Sequence, residues 1–165
     1  LKAVNDRASF NIFGDLKQNV TGFRGIKDWK ELGYVVYELN LNYRNTNQIV
    51  EYVSGNLGID MQAIGFDGCG VEIIDGRSVT KYLSEKKGLC AVITSEGNLE
   101  KYNRRSYNLL RESGKISKTK INIMTVYESK GLEFTAVAVA DADMTDNEKY
   151  VAYTRALKHL ALIRN

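Results

Sequence analysis

Short apolar runs alternate along the chain with segments whose apolar residues recur every three or four positions. The runs predict strands and the periodic segments predict helices. The predicted strands are FNIF (10–13), YVVYELNL (34–41), VEIID (71–75), LCAVITS (89–95), INIMTVY (121–127), AVAVADA (136–142) and HLALI (159–163). The predicted helices are IKDWKEL (26–32), NTNQIVEYVSGNL (45–57) with Asn45 or Thr46 as its cap, SVTKYLSEKK (78–87), residues 97–113 and residues 147–158.

Strands that are apolar throughout and separated by helices are typical of a mostly parallel sheet covered on both faces. The pattern therefore predicts a layered α/β fold. In such folds ligands bind at the carboxyl ends of the strands, so we expect the site where GDLKQ, NYRNT and ESKGLE leave three predicted strands.

Loops are polar in any case, and turn or cap roles would account for Gly14, Asp15 and Asn45 without a ligand. They account less well for Arg44 and Lys130.

Composition adds few constraints. The 165 residues are 44% hydrophobic and 26% charged, which suits one compact domain, and the net charge of +3 says little about nucleic acid. No apolar run approaches the roughly 18 residues that span a bilayer and no signal peptide is visible, so we predict a cytoplasmic protein without a membrane partner. The chain begins at Leu1 without a methionine, and we expect it to be part of a longer protein.

One stretch is rich in basic residues. These either form the solvated side of a long helix and its loop or contact phosphates. They are Lys101, Arg104, Arg105, Arg111, Lys115, Lys118 and Lys120.

Metal and nucleophile chemistry find little support. Cys69 and Cys90 lack the paired spacing of a zinc site, and His159 is the single histidine. We therefore predict no metal ligands.

The segment YVAYTRALKHLALI (150–163) combines a buried pattern with polar residues. As a helix it places Thr154, Arg155 and Lys158 on one side and the apolar residues on the other. That side is either solvated or faces a partner.

Four fragments carry a family resemblance. In this order, GDLKQNVTGFRG (14–25), LNYRNT (41–46), MTVYESKGLEF (124–134) and YVAYTRA (150–156) resemble motifs III to VI of the UvrD/Rep-type superfamily 1 DNA helicases, most closely the helicase IV and HelD branch. The resemblance implies a three-layer RecA-like domain of the P-loop NTPase type. Residues 1–30 would be the tail of a first RecA-like domain, with its motif III strand and switch loop, and residues 31–165 the second motor domain.

The resemblance also implies nucleotide contacts. Gln18 matches the glutamine that senses the γ-phosphate, and Arg44 and Arg155 match two arginine fingers that reach it from across the cleft. The matches to the adenine and ribose side of the nucleotide site are Tyr43, Gly131 and Glu133. ATP and Mg²⁺ would be held mainly by the first RecA-like domain of the same chain, with no cofactor expected in this chain alone.

Single-stranded DNA is the partner that the resemblance implies. Phe23 matches an aromatic residue on which a base stacks, while Thr125 and Tyr127 fall where the family contacts the DNA backbone. Thr21 stands where many relatives have tyrosine, and Tyr127 where they commonly have histidine, so these contacts depart from the pattern.

Two alternative functions stay open. The first is a HelD-like ATPase that remodels or recycles RNA polymerase, and the second is a non-catalytic nucleic-acid-binding module. Duplex unwinding and ATP hydrolysis by the full-length protein, with and without polymerase, separate them from a helicase or translocase.

A phosphate loop is missing from this sequence. The nearest match to G-x-x-x-x-G-K-[S/T] is SGKIS (113–117), which lacks the first glycine and precedes a predicted strand. We also expect residues 1 to about 30 to fold back, pair with another copy or be loosely held, because FNIF would lack its neighbouring strands.

We predict that the purified chain alone neither hydrolyses ATP nor binds it tightly, because it carries no Walker A or Walker B residues. A coupled ATPase assay measures this directly. Turnover that disappears in Arg155→Ala would contradict the prediction.

Overall fold

The computed structural model describes residues 11–20, 29–102 and 105–164. The strands in these ranges are β1 Leu41–Asn42, β2 Gln62–Ala63, β3 Glu72–Asp75, β4 Cys90–Thr94, β5 Tyr107–Leu109, β6 Ile121–Thr125, β7 Phe134–Val139 and β8 Ala156–Arg164. The helices are α1 Asn47–Leu57, α2 Val79–Ser84, α3 Leu110–Ser113, α4 Val126–Ser129 and α5 Asp146–Tyr153. Short 3-10 turns cover Leu16–Gln18, Lys30–Leu32, Gly76–Ser78 and Glu96–Lys101.

Six strands form one sheet in the order β3-β8-β7-β4-β6-β5, and every pair in it is parallel. Every residue of the interior strands β4 and β6 is buried, as expected for strands covered on both faces. Strands β1 and β2 form a separate parallel pair. The predicted α/β fold with a mostly parallel sheet is confirmed.

Helices cover both faces of the six-stranded sheet. Alternate residues of β4 divide between two apolar clusters, with Ile93 in the first and Val92 in the second. The first cluster includes residues of α1 and α5, such as Val53 and Val151, while α2 contributes Leu83 to the second. The side-chain period of two along each strand thus produces the three layers.

Two predicted strands near the N-terminus differ from the structure. Of YVVYELNL, the last residue begins β1, and Val35, Tyr37 and Leu39 are 80%, 87% and 94% exposed. The alternation is typical of a strand, but in the described ranges residues 34–40 belong to no sheet. Residues 11–13 of FNIF also form no strand, and Phe13 is 90% exposed.

The predicted helix over 97–113 is wrong. A 3-10 turn, the edge strand β5 and the short helix α3 lie within that stretch. Tyr107 is buried in the second cluster, where its ring meets Tyr102 edge-on at 5.6 Å. Burial of this aromatic pair outweighs the helical periodicity of the stretch.

Two capping boxes set where α4 and α5 begin. Thr125 accepts from the N–H of Glu128, whose carboxylate accepts from the N–H of Thr125, so INIMTVY leaves the sheet at Thr125. Thr145 and Glu148 repeat this arrangement at the start of α5. No helix in the described ranges is long and apolar enough to cross a membrane.

Replacing Phe134 at the start of β7 tests the core. Its side chain is 1% exposed, so Phe134→Ala should lower the free energy of unfolding by about 3–5 kcal/mol. Leu39→Ala, at a 94% exposed position, is the control and should change it by less than about 0.5 kcal/mol. Urea titration measures both, and similar small losses would mean that Phe134 is not a core residue.

Candidate functional site

The LNYRNT loop between β1 and α1 is fixed by two asparagines. The side-chain oxygen of Asn42 accepts from the backbone N–H groups of Arg44 and Asn45, both at 3.0 Å. Asn45 is completely buried, and its amide donates to the carbonyl oxygens of Thr154 at 3.1 Å and Ala156 at 2.7 Å. Since these carbonyls flank Arg155, the loop is attached at the junction between α5 and β8.

Arg44 leaves this loop toward the residue that precedes β7. Its Nη1 donates to Oε1 of Glu133 at 3.1 Å, and the two side chains are 40% and 43% exposed. An ion pair this exposed is screened by water, so its strength is small and another anion can replace Glu133 at Arg44. Arg44 is therefore available to a ligand at the surface.

Arg155 is held differently, by neutral oxygens in the interior. It is 2% exposed, and it donates to the carbonyls of Val151 at 3.0 Å and Leu132 at 3.2 Å and to the hydroxyl of Thr154 at 3.3 Å. Burial lowers the pKa of Arg155, and the nearby charge of Arg44 lowers it further. Arg44 pairs with Glu133, and the charges of both act on Arg155, so the three side chains form one electrostatic cluster.

The Leu16–Gln18 turn lies against α5. Asp15 caps the turn by accepting from the N–H of Lys17 at 3.0 Å, and it also accepts from the side-chain amide of Gln18 at 2.9 Å. The hydroxyl of Tyr150 on α5 donates to the same carboxylate at 3.1 Å. Asp15 therefore joins Gln18 to the helix that leads to Arg155.

Side chains of α4, α5 and the α4–β7 connection hold the backbone that follows the turn. Lys130 donates to the carbonyl of Gln18 at 3.0 Å, Asn147 to that of Asn19 at 3.1 Å, and Tyr127 to that of Val20 at 3.2 Å. Val20 itself is 8% exposed and belongs to the first apolar cluster. The turn thus has a fixed position relative to α5.

The pKa of Tyr150 depends on the charges around it. Burial, followed by the Asp15 carboxylate, raises the pKa of Tyr150 to about 12, whereas Arg44 and Arg155 act in the opposite direction. The carboxylate of the Gln18 turn and both arginines therefore all influence the pKa of this phenol. The structure brings the Gln18 turn, Arg44, Glu133 and Arg155 together.

This cluster does not lie at the carboxyl edge of the sheet, where we expected it. Glu133 directly precedes β7 and Arg155 directly precedes β8, so the arginines gather at the amino ends of these strands. The expectation failed because the LNYRNT loop docks onto the start of β8 through Asn45. Thr125, in contrast, does end a strand at the carboxyl edge.

The predicted helix face with Thr154, Arg155 and Lys158 is also wrong. Helix α5 ends at Tyr153, and Lys158 belongs to β8. Thr154 is 1% exposed and its hydroxyl donates back to the carbonyl of Tyr150 at 2.8 Å, so it does not form part of a solvated surface.

The remaining predicted residues lie in different surroundings. Tyr43 is 68% exposed beside Arg44, and Gly131 has a φ of 77° at the turn from α4 into β7. Thr125 is 3% exposed, and its hydroxyl donates to Glu128 at 2.9 Å, whereas Tyr127 is 51% exposed. Phe23, like Thr21, lies outside the described residues.

Sequence reasoning missed three residues that build the site. Asp15 reads as a turn residue, Asn45 as a helix cap and Tyr150 as part of an apolar helix side. Their spacing gives no signal, because the contacts of each cross more than 100 residues. The described residues contain no group of three or more His, Cys, Asp or Glu that could hold a metal ion.

Comparison with known proteins agrees with the predicted family over one part of the chain. Residues 120–163 match the family model of the UvrD-like helicase C-terminal domain. The recognition of a UvrD-like helicase C-terminal domain is confirmed over that range. It contains Thr125, Tyr127, Glu133 and Arg155, and the LNYRNT loop and the Gln18 turn lie outside it. A search of curated proteins gives no match.

The solved structures that are similar include the following two. The first is the C-terminal domain of a possible DNA helicase from Lactobacillus plantarum WCFS1, with a TM-score of 0.54 and 17% identity over 73% of this chain and 86% of that chain. At this identity the likeness shows the fold alone. The second is the Arterivirus nonstructural protein 10 helicase with DNA, with a TM-score of 0.44 and 17% identity over 76% of this chain and 25% of that chain.

Removing the Asn45 amide should loosen the site. Asn45→Ala leaves two buried carbonyls without their donor, so the free energy of unfolding should fall by about 2–4 kcal/mol. Asn56→Ala removes one exposed hydrogen bond to the carbonyl of Tyr52 and should cost less than about 1 kcal/mol. Chemical denaturation measures both losses, and equal losses would show that Asn45 does not clamp the loop.

Proposed function

We propose that this chain is the second RecA-like motor domain of an ATP-dependent DNA helicase or translocase of the UvrD type. The observation that supports it most is that Arg44, Arg155 and Glu133 form one electrostatic cluster. This cluster lies beside the Gln18 turn. Residues far apart in the sequence meet in one place, and their chemistry suits a nucleotide phosphate.

A cluster of two guanidinium groups and one carboxylate favours an added anion. In phosphoryl transfer the negative charge spreads over the γ-phosphate oxygens, and guanidinium groups stabilise it with paired hydrogen bonds. Arg44 is exposed enough to make such contacts at once. Arg155 must exchange its neutral oxygen partners for the phosphate, and the cost of burying its charge favours that exchange.

Gln18, Tyr43 and Glu133 complete the nucleotide side. Gln18 is oriented by Asp15, so its amide can report the presence of the γ-phosphate to α5 through Tyr150. The exposed ring of Tyr43 offers a face on which adenine can stack. Glu133 would exchange its contact with Arg44 for one with the ribose. Gly131 forms the turn that precedes Glu133. In this proposal ATP and Mg²⁺ are bound mainly by the first RecA-like domain of the same protein.

Single-stranded DNA would run past the carboxyl end of β6. Tyr127 is half exposed there, and its hydroxyl donates to the Val20 carbonyl. In this proposal the DNA backbone passes beside Thr125, whose hydroxyl stays on Glu128. Phe23 supplies the base-stacking face in this proposal.

Steady-state kinetics of the full-length protein test the proposal. Arg44→Ala and Arg155→Ala should each lower kcat of DNA-stimulated ATP hydrolysis by about a thousandfold, because each removes a guanidinium from the transferring phosphate. Binding of single-stranded DNA without nucleotide should persist. Arg155→Lys should recover little, because an ammonium group cannot form paired hydrogen bonds.

Arg77→Ala is the matched control, since Arg77 is 93% exposed and paired with its neighbour Asp75. It should keep the kcat of the unmodified protein. Unchanged kcat in both Arg44→Ala and Arg155→Ala would contradict the proposal. Activity that appears only with RNA polymerase would favour the remodelling ATPase instead.

A further inference from the structure

Arg111, from the basic stretch, contacts two glutamates at once. Its Nη1 and Nη2 pair with the two carboxylate oxygens of Glu96, with Nη2 to Oε2 at 2.7 Å, and its Nε donates to Oε1 of Glu128 at 3.2 Å. Arg111 and the two glutamates thus form a cluster with a formal charge of minus one. We call these three residues the Arg111 triad.

The two glutamates of the Arg111 triad are held with different firmness. Oε2 of Glu128 accepts from the backbone N–H of Thr125 at 2.8 Å and from the Thr125 hydroxyl at 2.9 Å. The side chain of Glu128 is 22% exposed. Glu96 is 69% exposed and follows the end of β4. Glu96 can therefore leave Arg111 for water, whereas Glu128 is kept in place by the capping box.

The Arg111 triad lies at the carboxyl ends of β4 and β6. Thr94 and Thr125, the last residues of these strands, are partners in the sheet register. Glu96 follows Thr94 by two residues, and Glu128 contacts Thr125 directly. Arg111 is therefore close to the residue that the proposed function places against the DNA backbone.

We propose that Arg111 binds a phosphodiester group of single-stranded nucleic acid in exchange for Glu96. This inference rests on the proposed function, which brings the strand past Thr125. The phosphate would take the paired hydrogen bonds of Nη1 and Nη2, and Glu128 would keep Nε. Glu96 is then a built-in competitor that weakens binding at this point.

Geometry and charge both favour the exchange. A guanidinium presents the same fork of donors to a phosphate as to a carboxylate, so the new anion needs no change in the position of Arg111. The ion pair that is lost is exposed and screened, so little stability is lost with it. Departure of Glu96 also removes a negative charge from the path of the strand.

Binding of fluorescein-labelled oligo(dT) to the full-length protein, followed by anisotropy in 50 mM salt, tests the exchange. Glu96→Gln should tighten binding about two- to fivefold, because the competitor loses its charge. Arg111→Gln should weaken binding by a similar factor, and the slope of log K against log salt should become shallower by about 0.7. In the double variant the gain from Glu96→Gln should disappear.

Glu100→Gln is the matched control, since it removes the same charge from the same turn and should change binding less than Glu96→Gln does. An equal gain from Glu96→Gln with and without Arg111 would overturn the exchange, because only general charge would then act. Strong binding that neither Glu96→Gln nor Arg111→Gln alters would overturn the exchange and leave the proposed function standing. Absence of binding by every variant, at unchanged thermal stability, would overturn both.

Discussion

The site depends on one buried amide. Asn45 donates to the carbonyls on either side of Arg155, and through this contact the loop after β1 is held at the junction of α5 and β8. Buried carbonyls need donors, so the contact is costly to lose and the loop has one preferred position. Because Arg44 precedes Asn45, the same contact holds the backbone of Arg44 near that of Arg155. In the proposed function, complementarity to a phosphate depends on this backbone attachment, since surface ion pairs alone would not hold the guanidiniums together.

A second attachment brings the Gln18 turn to the same place. Asp15 meets Tyr150, and Lys130, Asn147 and Tyr127 hold the carbonyls that follow. The turn is thus attached to α5 and α4 by side-chain hydrogen bonds. In the proposed motor this gives the γ-phosphate sensor a direct mechanical path to the arginine at the end of α5. The same proposal places nucleic acid at the carboxyl edge of the sheet, so the two ligands would contact opposite edges of one parallel sheet.

Hydrophobic patterning was sufficient for the α/β fold, because apolar strands between helices have few other ways to be covered. It failed where tertiary contacts decide the local structure. Tyr107 is drawn into the core from a stretch with helical periodicity, and Thr154 and Arg155, between α5 and β8, are buried with hydrogen bonds to backbone carbonyls. The candidate site residues were found through their resemblance to helicase motifs. Asp15 and Asn45, which position them, have long-range partners that no local pattern reveals.

A crystal structure of the full-length protein with a non-hydrolysable ATP analogue tests the central claim most directly. The account predicts guanidinium nitrogens of Arg44 and Arg155 within about 3.2 Å of γ-phosphate oxygens, with the Asn45 contacts intact. The claim would be contradicted if the analogue were bound with Arg44 still on Glu133 and Arg155 still on its three neutral oxygens, both beyond hydrogen-bonding distance of the phosphate.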